Sequence, residues 1–204
     1  MIRYLVDRLQ RCQTLSSIIV ATSWEPSDDA IVRFCTEHDL KCVRGELDKV
    51  VLRLLAAAEQ AGASEFLRIS ADSPLIDPNI VDEAVRLFEA GEFDIVTNVF
   101  PRSFPKGQSV EVISVASLRR VSTETSRAYD LEHVTPFIYG NPEKFRIRNF
   151  RCQRDLSEIQ MSVDSESDFL ALASLTGRMT KPHWQYSLDD LLTLREDAAP
   201  RGVR

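Results

Sequence analysis

The first hundred residues alternate between helical and strand-like hydrophobic spacing, and this alternation limits the fold more than any other feature of the chain. Ile2, Leu5, Val6 and Leu9 recur at helical intervals and predict an amphipathic helix over residues 2–13. Residues 17–23 form a short apolar run that ends in small polar residues and reads as a buried strand. Helical spacing returns over 26–39, with Ile31, Val32, Phe34 and Cys35 on the apolar side. A brief strand at 41–44 is closed by Gly45, a helix over 48–60 is stopped by Gly62, and a second buried strand leads to Asp72. A helix over 78–90, stopped by Gly91, and a buried strand over 93–99 complete the series. The order α-β-α-β-α-β-α-β predicts a largely parallel sheet with helices on both faces, whose ligands lie outside the carboxyl ends of the strands.

Past Pro101 the rhythm breaks. Residues 103–107 are rich in turn formers, 110–115 read as a strand that is apolar except for Glu111 and Ser114, and 117–124 read as a helix. Residues 144–150 fit a sheet edge, 159–163 a strand and 168–175 a helix. At 204 residues without a linker or repeat, the chain is expected to be one domain over 1–204.

Composition narrows the partners. A formal charge of −6 argues against nucleic acid, whose phosphates need a basic face, but a nucleotide needs only a local cluster of basic groups and a metal. Cys12, Cys35, Cys42 and Cys152 have no C-x-x-C spacing and no histidine at zinc-ligand distance, which favours reduced thiols. No apolar run reaches membrane-spanning length and Met1 opens no signal-peptide pattern, so a cytoplasmic protein without a membrane partner is expected.

The chemistry concentrates in Glu65-Phe-Leu-Arg-Ile-Ser-Ala-Asp-Ser-Pro-Leu-Ile-Asp-Pro78. An apolar strand runs into an acidic turn, and Asp77-Pro78 read as the cap and first residue of the next helix. Asp72 follows one predicted strand and Asp164 follows another, so parallel strands would aim both carboxylates into one crevice. Two such oxygens, completed by water and phosphate, are a usual way to hold Mg²⁺. On spacing alone, a cap of the following helix is the better reading of each aspartate.

Arg68-Ile-Ser-Ala-Asp-Ser-Pro-Leu-Ile-Asp77 resembles the R-x-T-G-D-C-P-L-I-D segment of the spore-coat polysaccharide cytidylyltransferases, relatives of the acylneuraminate and 3-deoxy-manno-octulosonate (KDO) cytidylyltransferases. Val20-Ala-Thr-Ser23, Asp48-Lys-Val-Val-Leu-Arg53, Asp94-Ile-Val-Thr-Asn98, Pro101-Arg-Ser-Phe-Pro105, Gly107-Gln-Ser-Val-Glu-Val112, Glu132-His-Val-Thr-Pro136 and Ser162-Val-Asp-Ser165 match in the same order. The resemblance implies a nucleotide-diphospho-sugar transferase fold (GT-A-like, Rossmann-like), an α/β architecture with a mixed, mostly parallel sheet. It implies transfer of CMP from CTP to a sugar acid, with release of pyrophosphate, for surface polysaccharide biosynthesis. Carried over by position, Asp72 and Asp164 are the catalytic pair and the ligands of Mg²⁺. Thr22, Ser23, Arg53 and Ser70 fall to the nucleotide, and Arg102, Glu111 and His133 to the acceptor sugar. A homodimer is implied as well. Each residue has a structural competitor: a solvated helix arginine for Arg53, a hydrogen-bonding role for His133, and a paired buried carboxylate for Glu111.

The resemblance is incomplete at the amino end. Members of the family open with a strand and a loop resembling A-R-x-x-S-x-R-L-P-G-K, whose amides and basic groups hold the triphosphate, whereas Ile2–Leu9 reads as the helix after that loop. The difference is roughly 20–25 residues by ordinary element lengths. The expectation is a sheet with unpaired strand edges in its middle and weak binding of Mg·CTP. A misplaced translation start, a fragment and a non-catalytic or regulatory remnant all fit. Ala71 stands where the family has Gly, and Ser73 where it has Cys. A GT-A glycosyltransferase ranks lower, because Asp72-Ser-Pro74 lacks the second carboxylate of a D-x-D motif.

Overall fold

The computed structural model describes residues 1–196; residues 197–204, which the sequence reading places in the same domain, lie outside it. Helix α1 (Ile2–Leu9) opens the chain, and β1 (Ile19–Ser23), α2 (Asp29–Glu37), β2 (Lys41–Gly45), α3 (Val50–Ala61), β3 (Glu65–Arg68), α4 (Pro78–Glu89) and β4 (Ile95–Thr97) follow in the predicted alternation. Next come β5 (Glu111–Ser114), α5 (Val115–Glu124), the short helices α6 (Ala128–His133) and α7 (Pro136–Tyr139), β6 (Ile147–Asn149), α8 (Glu166–Thr176) and α9 (Leu188–Glu196).

The strands do not form one continuous sheet. β1 pairs only with β2, in parallel, and a separate four-stranded sheet has the order β3-β5-β4-β6. Within it β5 runs antiparallel to β3 and β4, and β6 lies parallel to β4. β3, β4 and β6 therefore share one direction and β5 is reversed, so the sheet is mixed, while the β1–β2 pair is parallel. Three local expectations change. α1 ends at Leu9, α2 is preceded by a 3₁₀ turn over Pro26–Asp28, and β1 and β3 are only half-buried along their apolar stretches.

The helices divide into two layers. On one face α1, α4 and α9 pack Leu5, Leu9, Ile80, Val81 and Leu191 against Val96 and Val112; on the other, α3 and α5 pack Val51, Leu55, Leu118 and Val121 against Ile95 and Ile113. Ile95 faces Ile113 and Val96 faces Val112 in the ladder, and the period of two sends neighbours to opposite cores.

One arginine joins the carboxyl-terminal segment to this frame. Arg8 on α1 is completely buried; its guanidinium donates to Ile76 O (2.5 Å), to Tyr186 O (2.7 Å) and to His183 O. Burial lowers its pKa to about 10, with the nearby Asp77 carboxylate opposing that shift. Asp77 also caps α4, accepting from Asn79 N at 2.9 Å, and accepts from Leu188 N at 2.7 Å, which fixes the start of α9.

The segment 159–163 is not a strand. It makes one bridge, between Gln160 and Lys106, because its backbone is satisfied by a loop: Lys106 N donates to Ile159 O and Met161 N donates to Lys106 O, both at 2.9 Å. Gly107 makes this approach feasible. Its φ is +90°, and a Cβ there would meet Met161 C and Ser162 N at 2.5 Å. Gly107→Ala is expected to lose more than about 2 kcal/mol. Urea unfolding midpoints check this, and an unshifted midpoint contradicts it.

Candidate active site

The segments that carry Asp72 and Asp164 meet through the backbone, without a second strand. Val163 N donates to Asp72 O at 2.9 Å, which sets the turn after β3 beside the residue preceding Asp164. Neither carboxylate caps a helix. Asp77 caps α4, and Ser165 caps α8 by accepting from Asp168 N. Asp72 accepts from Ser73 Oγ (2.8 Å), and Asp164 accepts from Gln160 Nε2 (2.8 Å) and Ser162 Oγ (3.2 Å). Among the described residues no Lys, Arg or His pairs with either one. No group of three or more His, Cys, Asp or Glu side chains is placed to hold a metal among the described residues. Two cation-free carboxylates nevertheless suit Mg²⁺, which is usually held by one or two carboxylates while water and phosphate fill its other positions.

Thr22 and Ser23 end β1, buried, and both hydroxyls donate to Asp28 Oδ2, at 2.7 and 2.6 Å; Ser23 N adds a third bond at 2.9 Å. These hydroxyls thus face nearby ligands with lone pairs only. The sequence reading does not single out Asp28, although Ser27-Asp-Asp29 begins only four residues after Ser23, the end of the matched segment. The Ser23 and Thr22 bonds draw its pKa from 3.8 to about 2. A depressed carboxylate pKa adds stability above its ordinary value, and that stability disappears as pH falls through the folded one. Asp28→Asn should therefore lower the thermal midpoint at neutral pH, and the gap from the native protein should close between pH 4 and pH 2. A gap of constant size across that range contradicts the assignment.

Arg53, on α3, reaches back over the β2–α3 loop and donates to Glu46 O (2.6 Å) and Leu47 O (2.8 Å). Among the described residues its buried Nε has no partner, and burial lowers its pKa against the pull of Asp28 and Asp48. Arg53 and Ser70 line the same slot between β1 and β3, about 720 Å³ in volume, with Arg68 and Glu132.

Glu111 is buried on β5 and fully engaged. Arg68 donates to Oε2 (2.5 Å) and the Tyr139 hydroxyl donates to Oε1 (2.6 Å), with Thr97 Oγ1 2.9 Å from the same phenol oxygen. Burial, then the Glu111 charge, raise the Tyr139 pKa, so the phenol keeps its proton. Arg102 donates to Ser109 Oγ at 3.0 Å, and its own pKa is lowered by burial and raised by Glu111. Arg68 therefore connects the slot to the Glu111 group. It opens the matched R-x-T-G-D segment, yet it was read only as part of that pattern. Tyr139 has no local sequence signal, since its partner lies on β5.

His133 stands apart. It is exposed at the end of α6, edge-on to Tyr129 with ring centroids 4.4 Å apart, and it does not line the slot. The next residue, Val134, has φ +73° in a γ-turn closed by Thr135 N donating to His133 O at 2.9 Å. A β-branched residue holds this conformation only when its surroundings enforce it, and here the Val134 side chain is fully buried.

An uncharacterized protein of Methanocaldococcus jannaschii is 30% identical over 167 residues, which is 81% of this chain and 68% of that protein. The spore coat polysaccharide biosynthesis protein SpsF of Bacillus subtilis is 23% identical over 164 residues, 78% of this chain and 66% of that one. The chain thus spans about two thirds of the length of these relatives. A cytidylyltransferase structure from Leptospira borgpetersenii superposes with a TM-score of 0.90 at 26% identity, covering 95% of this chain and 82% of that one. The structure of CMP:2-keto-3-deoxy-manno-octonic acid synthetase complexed with CTP superposes with a TM-score of 0.64 at 12% identity, over 87% of each chain, a likeness of fold. The sequence profile described as cytidylyltransferase matches residues 1–174, and the chain belongs to the cytidylyltransferase family.

Proposed function

We propose that this protein transfers CMP from CTP to a sugar acid, yielding a CMP-sugar and pyrophosphate for surface polysaccharide biosynthesis in the cytoplasm. One observation carries the reading: among the described residues neither Asp72 nor Asp164 has a cation partner, and the bond from Val163 N to Asp72 O holds the two backbone segments side by side beyond the end of β3. Both would hold Mg²⁺, which when bound neutralises triphosphate charge and favours departure of pyrophosphate. Arg53 and Ser70, on the slot, and Thr22 and Ser23, at the end of β1, are assigned to the nucleotide. Glu111, Arg102 and His133 are assigned to the sugar acid, with Arg68 and Tyr139 holding the Glu111 carboxylate in place. A homodimer belongs to the same proposal.

A second reading makes the chain a non-catalytic or regulatory member that keeps the fold. The two separate in one assay on protein isolated from its native cell. Pyrophosphate release should require CTP and one of a panel of sugar acids, and ATP, GTP or UTP should not replace CTP. No release with any nucleotide supports the second reading and ends the first.

A further inference from the structure

We propose that Phe100, backed by Tyr139, and Arg102 form a subsite for the pyranose ring and carboxylate of a sugar acid, with the open face of the Phe100 ring as its floor. This rests on the reading that the chain transfers CMP to a sugar acid, and it names the side chains that select the acid.

The subsite is built on the end of the sheet. The register places Arg68, Glu111, Thr97 and Asn149 in one row across β3, β5, β4 and β6. Arg68, Thr97 and Asn149 are the last residues of their strands, so the row marks the carboxyl edge, outside which ligands of open α/β sheets bind. The row holds what lies over it. Glu111 accepts from Arg68 and from the Tyr139 hydroxyl, whose oxygen also lies 2.9 Å from Thr97 Oγ1. Asn149 clamps the chain beyond β4, its Oδ1 accepting from Phe100 N at 3.0 Å and its Nδ2 donating to Pro101 O at 3.2 Å.

Two side chains over this row keep capacity for a ligand. The Phe100 ring lies on Tyr139 with centroids 4.6 Å apart and planes 13° apart, which covers one of its faces. Phe100 is still 40% exposed, so the opposite face is open. A single exposed aromatic is ordinary, but this one is fixed at its backbone by Asn149 and at its ring by Tyr139. Arg102 follows two residues later. It is half-buried, donates to the neutral hydroxyl of Ser109, and makes no ion pair among the described residues, while Arg68 meets the Glu111 carboxylate. Burial lowers the Arg102 pKa, and Glu111 and Tyr139 are near enough to oppose that shift. A half-buried cation without a counter-ion suits a carboxylate, and an open aromatic face suits the C–H face of a sugar ring. A pyranose bearing a carboxylate makes both contacts; a neutral sugar lacks the first and a bare anion the second. Fixing the aromatic before the ligand arrives also lowers the cost of binding.

The test is saturation-transfer NMR on the full chain with 3-deoxy-manno-octulosonate and N-acetylneuraminate, each set against its uncharged methyl ester. The native chain should bind at least one acid about tenfold more tightly than its ester, with transfer strongest at the ring C–H protons. Phe100→Ala should weaken acid and ester alike by about fivefold, and Phe100→Tyr should restore both. Arg102→Gln should abolish the preference for the acid over its ester. Binding of neither acid, unchanged binding in Phe100→Ala, or a preference that survives in Arg102→Gln overturns the subsite. These readouts need no CTP. A chain that binds in this way but releases no pyrophosphate contradicts the transfer and keeps the subsite, whereas turnover with an unchanged sugar-acid KM in Phe100→Ala keeps the transfer and overturns the subsite.

Discussion

Asp72→Asn and Asp164→Asn should each cut CTP-dependent pyrophosphate release by at least about 10²-fold while leaving the fold intact. The carboxamide keeps the shape of the side chain but removes the charge that holds a divalent cation. Little structure depends on either group. Asp72 accepts one bond, from the neighbouring Ser73 hydroxyl, and the exposed Asp164 accepts from Gln160 and Ser162. A loss of turnover with an unchanged urea midpoint assigns the pair to chemistry. Full activity in either variant removes that residue from the site, and equal loss of stability and activity makes its role structural.

The largest stability effect is expected at Arg8. Arg8→Met keeps the apolar stem and strips the guanidinium from three buried carbonyls on Ile76, His183 and Tyr186. It also takes away a positive charge near the buried Asp77, which caps α4 and fixes Leu188. Removing one partner from a buried charged network costs about 3–5 kcal/mol. For a chain of this size that lowers the thermal midpoint by roughly 6–20 °C. A change of less than about 1 kcal/mol, the scale of an ordinary surface substitution, contradicts the network. The same variant should loosen the carboxyl-terminal segment first, since two of the three carbonyls that lose their donor, on His183 and Tyr186, belong to it.

Local pattern and long-range arrangement separate clearly in this chain. The alternation of the first hundred residues, the Asp77 cap and the glycine stop of α3 follow from neighbouring residues and are visible in the sequence. The place of β5 is not, because insertion between β3 and β4 depends on cross-strand packing of Val112 and Ile113 with residues far away in the chain. Residues 159–163 carry the spacing of a strand, but the close approach allowed by Gly107 gives their backbone a loop partner in place of a ladder. Arg8 is hidden for a related reason. It lies between apolar positions on α1, where a charged residue usually marks solvent, and only the tertiary fold supplies its carbonyls. In the proposed site, Asp72, Asp164, Arg53 and Glu111 follow from the order of motifs. Asp28, Arg68 and Tyr139 act through partners on other elements, so their roles emerge only from the contacts.

Phosphorus-31 NMR of the protein isolated from its native cell, mixed with CTP, Mg²⁺ and a panel of sugar acids, tests the central claim directly. The account predicts that CTP signals decline while pyrophosphate and a CMP phosphodiester grow in equal amounts. Appearance of CDP or inorganic phosphate, or CTP that persists unchanged with every sugar acid, would contradict it.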